Sequence, residues 1–260
     1  MKQFGYLLQK EFQESWRNFR LLWIPIVFIS LGIMDPLTNY YMEDILAAFG
    51  YLPEDTMLTW PEFSAADILF ATTTQFQMIG LIVFVAVFAS NISKERQNGT
   101  ATFLYVRPLE YSSYFLSKWI VAVVIAVISV IVGYATSIYY TTILFGEMPL
   151  VGILKMIGTY SVWMMFVLAF TLCLSAMFKT AISMGISLTL VIVGSLFDPI
   201  IGKYWVYSPM KLATYGVEFL TDGPDMTHFS TTIGITVALT VICIAAGIYF
   251  SKKNASTTKI

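Results

Sequence analysis

Covalent and hydrolytic chemistry needs nucleophiles, bases or phosphate cradles at fixed spacings, and this chain offers few. Its one histidine is His228, and its two cysteines are Cys173 and Cys243. Each cysteine sits within an apolar run, where a thiol reads as a small buried hydrophobe rather than half of a disulfide or a metal ligand. No G-x-x-x-x-G-K-[ST] loop is present to hold nucleotide phosphates, no H-E-x-x-H to bind zinc, and no G-x-S-x-G to present a serine. What the apolar stretches do carry is uncharged polarity. Thr73, Gln77 and Gly80 recur on one helical face, and Ser183 and Ser187 recur four apart, with Gly185 and Gly194 in the same stretch. Such groups either hydrogen-bond neighbouring helices and let backbones approach, or line a path for a substrate. Both readings stand for Thr73, Gln77, Ser183 and Ser187. Acidic residues avoid the centres of the apolar stretches, which weighs against an intramembrane carboxylate relay.

The elements that must position these groups follow from composition. Of 260 residues, 57% are hydrophobic and 12% charged, about half the charge of a soluble domain at roughly 25%. A surface so poor in charge excludes a soluble globular protein, and so much apolar content at a net charge of −1 excludes disorder. No basic patch is present to hold nucleic acid. The class that remains is an all-α polytopic membrane protein with one transmembrane domain spanning residues 1–260 and lipid as its surroundings. Six apolar stretches are candidates for spans: Leu21 to Met34 (at its widest Phe19 to Leu37), Ile68 to Asn91, Trp119 to Phe145, Ile153 to Met177, Ala181 to Ile201 and Thr231 to Phe250. The first is the shortest, but Glu11 and Glu14 precede it and no cleavage site follows, so it reads as a retained span. With the N-terminus in the cytoplasm, 12 of the 15 Lys and Arg fall on the cytoplasmic side, leaving Lys155, Lys203 and Lys211 outside. The stretch from Asp35 to Asp67 holds seven acids and no base, and is the first outer loop. This partition predicts six spans with both termini cytoplasmic.

Three segments outside the spans are informative. In residues 1–20, Phe4, Leu8, Phe12 and Trp16 recur every four positions, with Lys10, Glu11, Glu14 and Arg17 on the remaining surface. That pattern predicts an amphipathic elbow helix in the interface plane. It serves either as a plain anchor or as a contact for a cytoplasmic subunit. The inner loop, residues 92–118, reads ISKERQNGTATFLYVRPLEYSSYFLSK. Asn98-Gly99 is a turn, Thr100 can cap a short helix over Ala101 to Val106, and Pro108 ends it. The loop is either an ordinary positive-inside connection or a lever that passes a push into the spans. The outer stretch 198–229 is rich in Pro and aromatics, and predicts re-entrant or interfacial helices rather than a free linker. Tyr40, Tyr41, Ile45, Leu46, Phe49 and Tyr51 predict a lid helix in the first outer loop.

The inner loop carries a resemblance. Glu95-Arg96-Gln97-Asn98-Gly99-Thr100, then Arg107-Pro108, then Tyr114 to Lys118, resembles the ABC-2 type permeases, the membrane subunits of type-V ABC transporters. Their loop typically reads E-R-x-x-G-T, a Pro after an apolar stretch, and a Lys opening the third span. The likeness is close over about 27 residues and architectural elsewhere. It implies a half-size bacterial permease in the cell membrane. ATP and magnesium would be bound by a separate ATP-binding cassette ATPase, with no cofactor in this chain. It also implies a second permease copy or paralogue, facing the first through the second and fifth spans. Glu95, Arg96, Gly99, Thr100, Phe103, Leu104, Arg107 and Pro108 would form the coupling helix that docks on the ATPase, flanked by Phe12, Trp16 and Arg17. Glu95 and Arg107 would be candidates for ion pairs with that partner. The expected function is export of an amphipathic or lipidic substrate. Its alternative is mechanotransmission to an extracytoplasmic partner without solute transport.

Overall fold

The computed structural model describes residues 2–49, 63–97, 110–202 and 204–256, and among them every regular element is helical. The first helix, α1, is Lys2–Arg17. The chain turns out of it at Phe19, a non-glycine residue held at φ 55° in the left-handed region. Helix α2, Arg20–Tyr40, contains Pro25 and Pro36 yet continues through both. A short helix α3, Met42–Ala48, follows, so the expected lid is helical over those residues; Tyr51 lies outside the described residues. The next span is one run in four pieces: α4 (Ala65–Gln75), a π-helical turn (Phe76–Gly80), α5 (Leu81–Phe88) and α6 (Asn91–Gln97). It begins with a reciprocal capping box, in which the Ser64 hydroxyl accepts from the Asp67 N–H and the Asp67 carboxylate accepts from the Ser64 N–H.

Helix α7, Tyr111–Phe145, is the longest at 35 residues and ends at Gly146, whose φ of 106° a Cβ would oppose. Helices α8 (Leu150–Met177), α9 (Thr180–Ile201), α10 (Lys211–Glu218) and α11 (Met226–Ser256) complete the chain. Helix α8 is the innermost and α11 the most peripheral: 72% and 11% of their most apolar windows are buried.

Among the described residues, five helices are long and apolar enough to cross a membrane: Arg20–Tyr40, Ala65–Gln97, Tyr111–Phe145, Leu150–Met177 and Met226–Asn254. The fifth stretch expected from the sequence contributes a shorter apolar helix, Thr180–Gly194. At 1.5 Å per residue α7 is about 50 Å long, well beyond ~30 Å of hydrocarbon, so its ends reach polar surroundings. This overshoot lengthens the helices past the apolar stretches read from sequence. It also moves Asp35, taken there as the first residue of an outer loop, into α2, where it is 7% exposed.

The middle of the bundle packs through aromatics and glycines. Phe28, Phe76, Phe84, Tyr134, Tyr160 and Trp163 form a chain of ring contacts with centroids 4.8 to 6.3 Å apart. Helices α2 and α7 meet at Gly32 and Gly133; a Cβ on Gly32 would stand 2.4 Å from the Gly133 carbonyl oxygen. Van der Waals contact of this kind drives helix association in lipid, where no hydrophobic effect is available between helices. Gly32→Val is therefore expected to destabilise the protein by about 1–3 kcal/mol. Gly158→Ala, where a Cβ meets nothing within 4 Å, is expected to be neutral. Thermal unfolding of the two variants in lipid nanodiscs checks the contrast.

Candidate functional site

Both termini lie at one end of the bundle, and that end is fastened by a buried ion cluster. Lys118, two turns into α7, has a side chain only 1% exposed. Its ammonium donates to Glu11 Oε1 of α1 at 2.8 Å and to Glu95 Oε1 of α6 at 2.9 Å. Lys10 Nζ donates to the same Glu95 oxygen at 3.1 Å. Tyr114 donates its hydroxyl to Glu95 Oε2 at 2.5 Å, and the Lys118 ammonium lies 5.2 Å over the Tyr114 ring. Burial pulls Lys10 towards its neutral form, but Glu95 and then Glu11 outweigh it and hold its ammonium above the ordinary value. Glu11, Glu14 and Glu95 bring carboxylate oxygens within 4.8 Å of one another. That grouping can hold a divalent ion, but here the two lysines bond Glu11 and Glu95 instead.

The same end has a second set of ties. Helix α6 starts afresh at Asn91, so its first N–H groups need outside acceptors. Ser175 of α8 supplies one: its hydroxyl oxygen accepts from the N–H of Ile92 at 3.2 Å and of Ser93 at 3.1 Å. The Ser93 hydroxyl shares a bond with that of Thr180 at the start of α9. In return, Arg96 caps the far end of α8, donating to the carbonyls of Ala176 and Phe178 at 2.7 Å each. Asn254 of α11 donates to the Ala176 carbonyl as well. Arg20 donates to Asn91 at 2.9 Å, tying the start of α2 to the start of α6.

Of the residues expected to dock on a partner, Glu95 and Arg96 are therefore bonded within this chain. Helix α1 also packs differently from its sequence pattern. The face against the bundle is Leu7, Glu11 and Ser15, all buried, while Phe12, Trp16 and Arg17 face outward, Trp16 being 60% exposed. Glu11, read from sequence as surface, is drawn in by Lys118. Gly99, Thr100, Phe103, Leu104, Arg107 and Pro108, with the short helix over Ala101 to Val106, lie outside the described residues. The stretch that holds them emerges from Gln97 and returns at Glu110, so the ion cluster clamps its base. The sequence marked Tyr114 and Lys118 only as part of the family-like stretch and Lys10 and Glu11 only as the polar surface of the elbow helix, with no contact between them expected. The one available signal was that a lysine seven residues into a long helix has to find carboxylates or leave the bundle.

The four substrate-path candidates do not share a surface. Thr73 is buried, its hydroxyl bonded to the Leu69 carbonyl at 2.7 Å and to Tyr134 at 2.8 Å. Ser183 and Ser187 are fully buried, and their hydroxyls have no partner among the described residues. Gln77 alone is part-exposed, within the π turn. The opposite face of α9, with Ile182, Ile186, Thr189 and Leu190, lines an apolar cleft of about 1040 Å³ that reaches Trp205 and Phe166.

Breaking the cluster from one side strands a buried charge. Lys118→Met is expected to destabilise the protein by about 3–5 kcal/mol, because it leaves Glu11 without its nearest counter-ion. Adding Glu11→Gln to that variant is expected to recover a large part of the loss. A thermal-unfolding double-mutant cycle in nanodiscs measures both; additive losses would mean that the two groups do not interact.

Comparison with known proteins agrees with the all-helical apolar architecture. The family model described as "ABC-2 family transporter protein" matches residues 6–255. The "Uncharacterized transmembrane protein YxlG" of Bacillus subtilis (strain 168) is 29% identical over 256 residues, covering 96% of each chain. A helical membrane chain matched from its first helix to its last in this way belongs to the ABC-2 transporter family.

Proposed function

We propose that this chain is the permease subunit of an ATP-driven exporter in the bacterial cell membrane, coupled to a separate ATP-binding cassette ATPase. It works in the six-span arrangement, with Thr180–Ile201 as the fifth span, α1 as an elbow helix at the cytoplasmic face and α10 in the re-entrant outer region. The observation that carries the reading is the clamp at the base of the inner loop. Glu95, Tyr114 and Lys118 join the two strands of chain that enter and leave residues 98–109, and Glu11 joins α1 to both. A push delivered by an ATPase to Phe103, Leu104 and Arg107 reaches the second and third spans and α1 as one body. Glu95 and Arg96 act inside that body as transmitting residues. Outward-facing Phe12, Trp16 and Arg17 are left for lipid or for the ATPase.

The substrate class follows from the walls. Apart from Thr189 and Ser208, the side chains around the α9 cleft are apolar, which suits an amphipathic or lipidic molecule. Gln77 and the exposed Met78 and Ile79 beside it are offered to substrate or to a second copy facing through the second and fifth spans. Thr73, Ser183 and Ser187 reach substrate only if those spans part. Mechanotransmission is the second reading. It is favoured by α3, which has no buried residue, and by Tyr204 and Trp205, exposed at the end away from the termini.

Two variants separate the clamp from the docking surface. Arg107→Glu combined with Phe103→Ala and Leu104→Ala is expected to lower ATPase co-purification by about tenfold or more with unchanged thermal stability. Glu95→Gln is expected to lower thermal stability first. Retention of the ATPase by the triple variant would overturn the docking assignment. In liposomes holding the complex, ATP-dependent movement of a fluorescent lipid analogue, reduced by Gln77→Ala, favours export; ATP turnover without movement favours the second reading.

A further inference from the structure

Asp35 sits inside a membrane helix, and its environment is unusual. The carboxyl is buried against α4, where Gln75 Nε2 donates to Asp35 Oδ1 at 2.6 Å. The other two oxygens of this pair, Asp35 Oδ2 and Gln75 Oε1, are both buried and both lack a partner. Two buried acceptors of one bonded pair are left with no donor among the described residues. Thr72 stands next to the carboxyl, its hydroxyl bonded to the Ile68 carbonyl at 3.1 Å and sharing a bond with the Ser137 hydroxyl at 3.0 Å; its one proton can serve at most one of the two acceptors. Among the described residues no cation pairs with Asp35. The titratable groups on the elements packed against α2 are engaged or remote. Glu43 and Asp44 of α3 are exposed, Asp67 of α4 caps its own helix, and Tyr134 of α7 bonds Thr73. Lys10, Glu11 and Lys118 are tied to one another at the other end of the bundle.

An ionised carboxylate in such a place keeps its charge without a counter-ion, in surroundings where polar groups must be satisfied internally. One proton removes both difficulties. A neutral carboxylic acid and a primary amide form a cyclic pair. The amide N–H donates to one carboxyl oxygen, and the acid O–H donates back to the amide oxygen. The first of these bonds is present, and a hydrogen on Oδ2 supplies the donor for the second. A metal ion is a poorer occupant, since hard cations take six or more oxygens and the pair offers two.

We propose that Asp35 and Gln75 are a proton-binding site that closes α2 onto α4 as an acid–amide pair. The proton comes from water and returns to it. When bound, it satisfies Oδ2 and Oε1 together; when released, it leaves a carboxylate facing a carbonyl oxygen. Gln75 sits immediately before the π turn at Phe76–Gly80, so closure or opening of the pair acts next to an irregular point of the second span. This is a site of action separate from the clamp, and it does not rest on the export reading.

Infrared spectroscopy of the full-length chain in lipid nanodiscs tests it without an ATPase or a substrate. At mildly acidic pH the wild type is expected to show a protonated-carboxyl C=O band that shifts in heavy water and disappears as the pH is raised through neutral. The band should be absent from Asp35→Asn and move to higher wavenumber in Gln75→Leu, which removes the N–H donated to it. Asp35→Asn forms an amide–amide pair with the same two bonds. It should keep the wild-type thermal stability at mildly acidic pH and lose the fall in stability that the wild type shows as the acid ionises on raising the pH through neutral. If that variant does not fold, carboxyl-labelled aspartate in the wild type assigns the band by its isotope shift. Identical spectra for wild type and Asp35→Asn at mildly acidic pH, or an unlabelled band that ignores the isotope, would overturn the proposal. So would a signal that follows sodium concentration rather than pH.

Discussion

The ammonium group of Lys118, held between Glu11 and Glu95, is the interaction on which the terminal end of this bundle depends. A buried ion pair is weak as a source of net stability, because both charges must leave water. Its force lies in what it forbids. With Lys118 fixed, neither carboxylate can move away without leaving a charge unpaired, and the two carboxylates sit on different helices. The cost of separation therefore falls on α1, α6 and α7 together. A hydrophobic contact of the same area would tolerate sliding; this one tolerates only the geometry that keeps three helices in register. Tyr114 and Lys10 add bonds to Glu95, so the carboxylate that lies nearest the inner loop is also the one most firmly held.

Around that centre, the polar bonds and the apolar packing divide the molecule. At the terminal end, Arg96, Ser175 and Asn254 each satisfy backbone groups that a helix terminus leaves open, and Thr180 bonds the Ser93 hydroxyl. In the middle, rings and glycines make contacts that carry no direction beyond shape. This division follows the dielectric. Near the membrane surface a helix end can be capped by water or by a neighbour. In hydrocarbon no water is available, and the uncharged Thr, Ser and Tyr groups bond their own helix or the next.

How much of this was legible beforehand depends on the physics behind each signal. The helices and their order were readable because ~20 apolar residues in a row have one stable structure in lipid. The polar interior was not. Glu11 obeys the four-residue spacing that marks an amphipathic surface, and only the position of Lys118 on another helix turns it inward. Lys118 itself counts equally well as a positive-inside charge or as half of a buried pair. Asp35 follows an apolar stretch and looks like the start of a loop, because a sequence shows where hydropathy falls and not how far a helix continues. Thr73 and Gln77 share a face at ideal helical spacing, but the π turn begins between them at Phe76 and ends that regularity. Ser183 and Ser187 did keep a common face; it turned inward, leaving the cleft to the apolar residues on the other side of α9.

These observations converge on the second span. Upstream of the π turn, Gln75 is bonded to Asp35 of α2, Thr72 to Ser137 of α7 and Thr73 to Tyr134 of α7. Downstream, Glu95 is held by α1 and α7, and Arg96 by the end of α8. The span is thus fastened at both ends by directional bonds and interrupted between them. A π turn carries a widened i→i+5 bond and is found at places where helices adjust. Here Gly80 gives it room on the side of Phe28, whose ring would meet any Cβ at 2.5 Å. Because the ends cannot slide without breaking charged or buried polar contacts, a displacement of one end relative to the other is taken up at the interruptions between them, the π turn at Phe76–Gly80 and the turn at Ala89–Ser90. These irregularities in the helix are then the compliance of the span, and the polar bonds on either side set the load it takes.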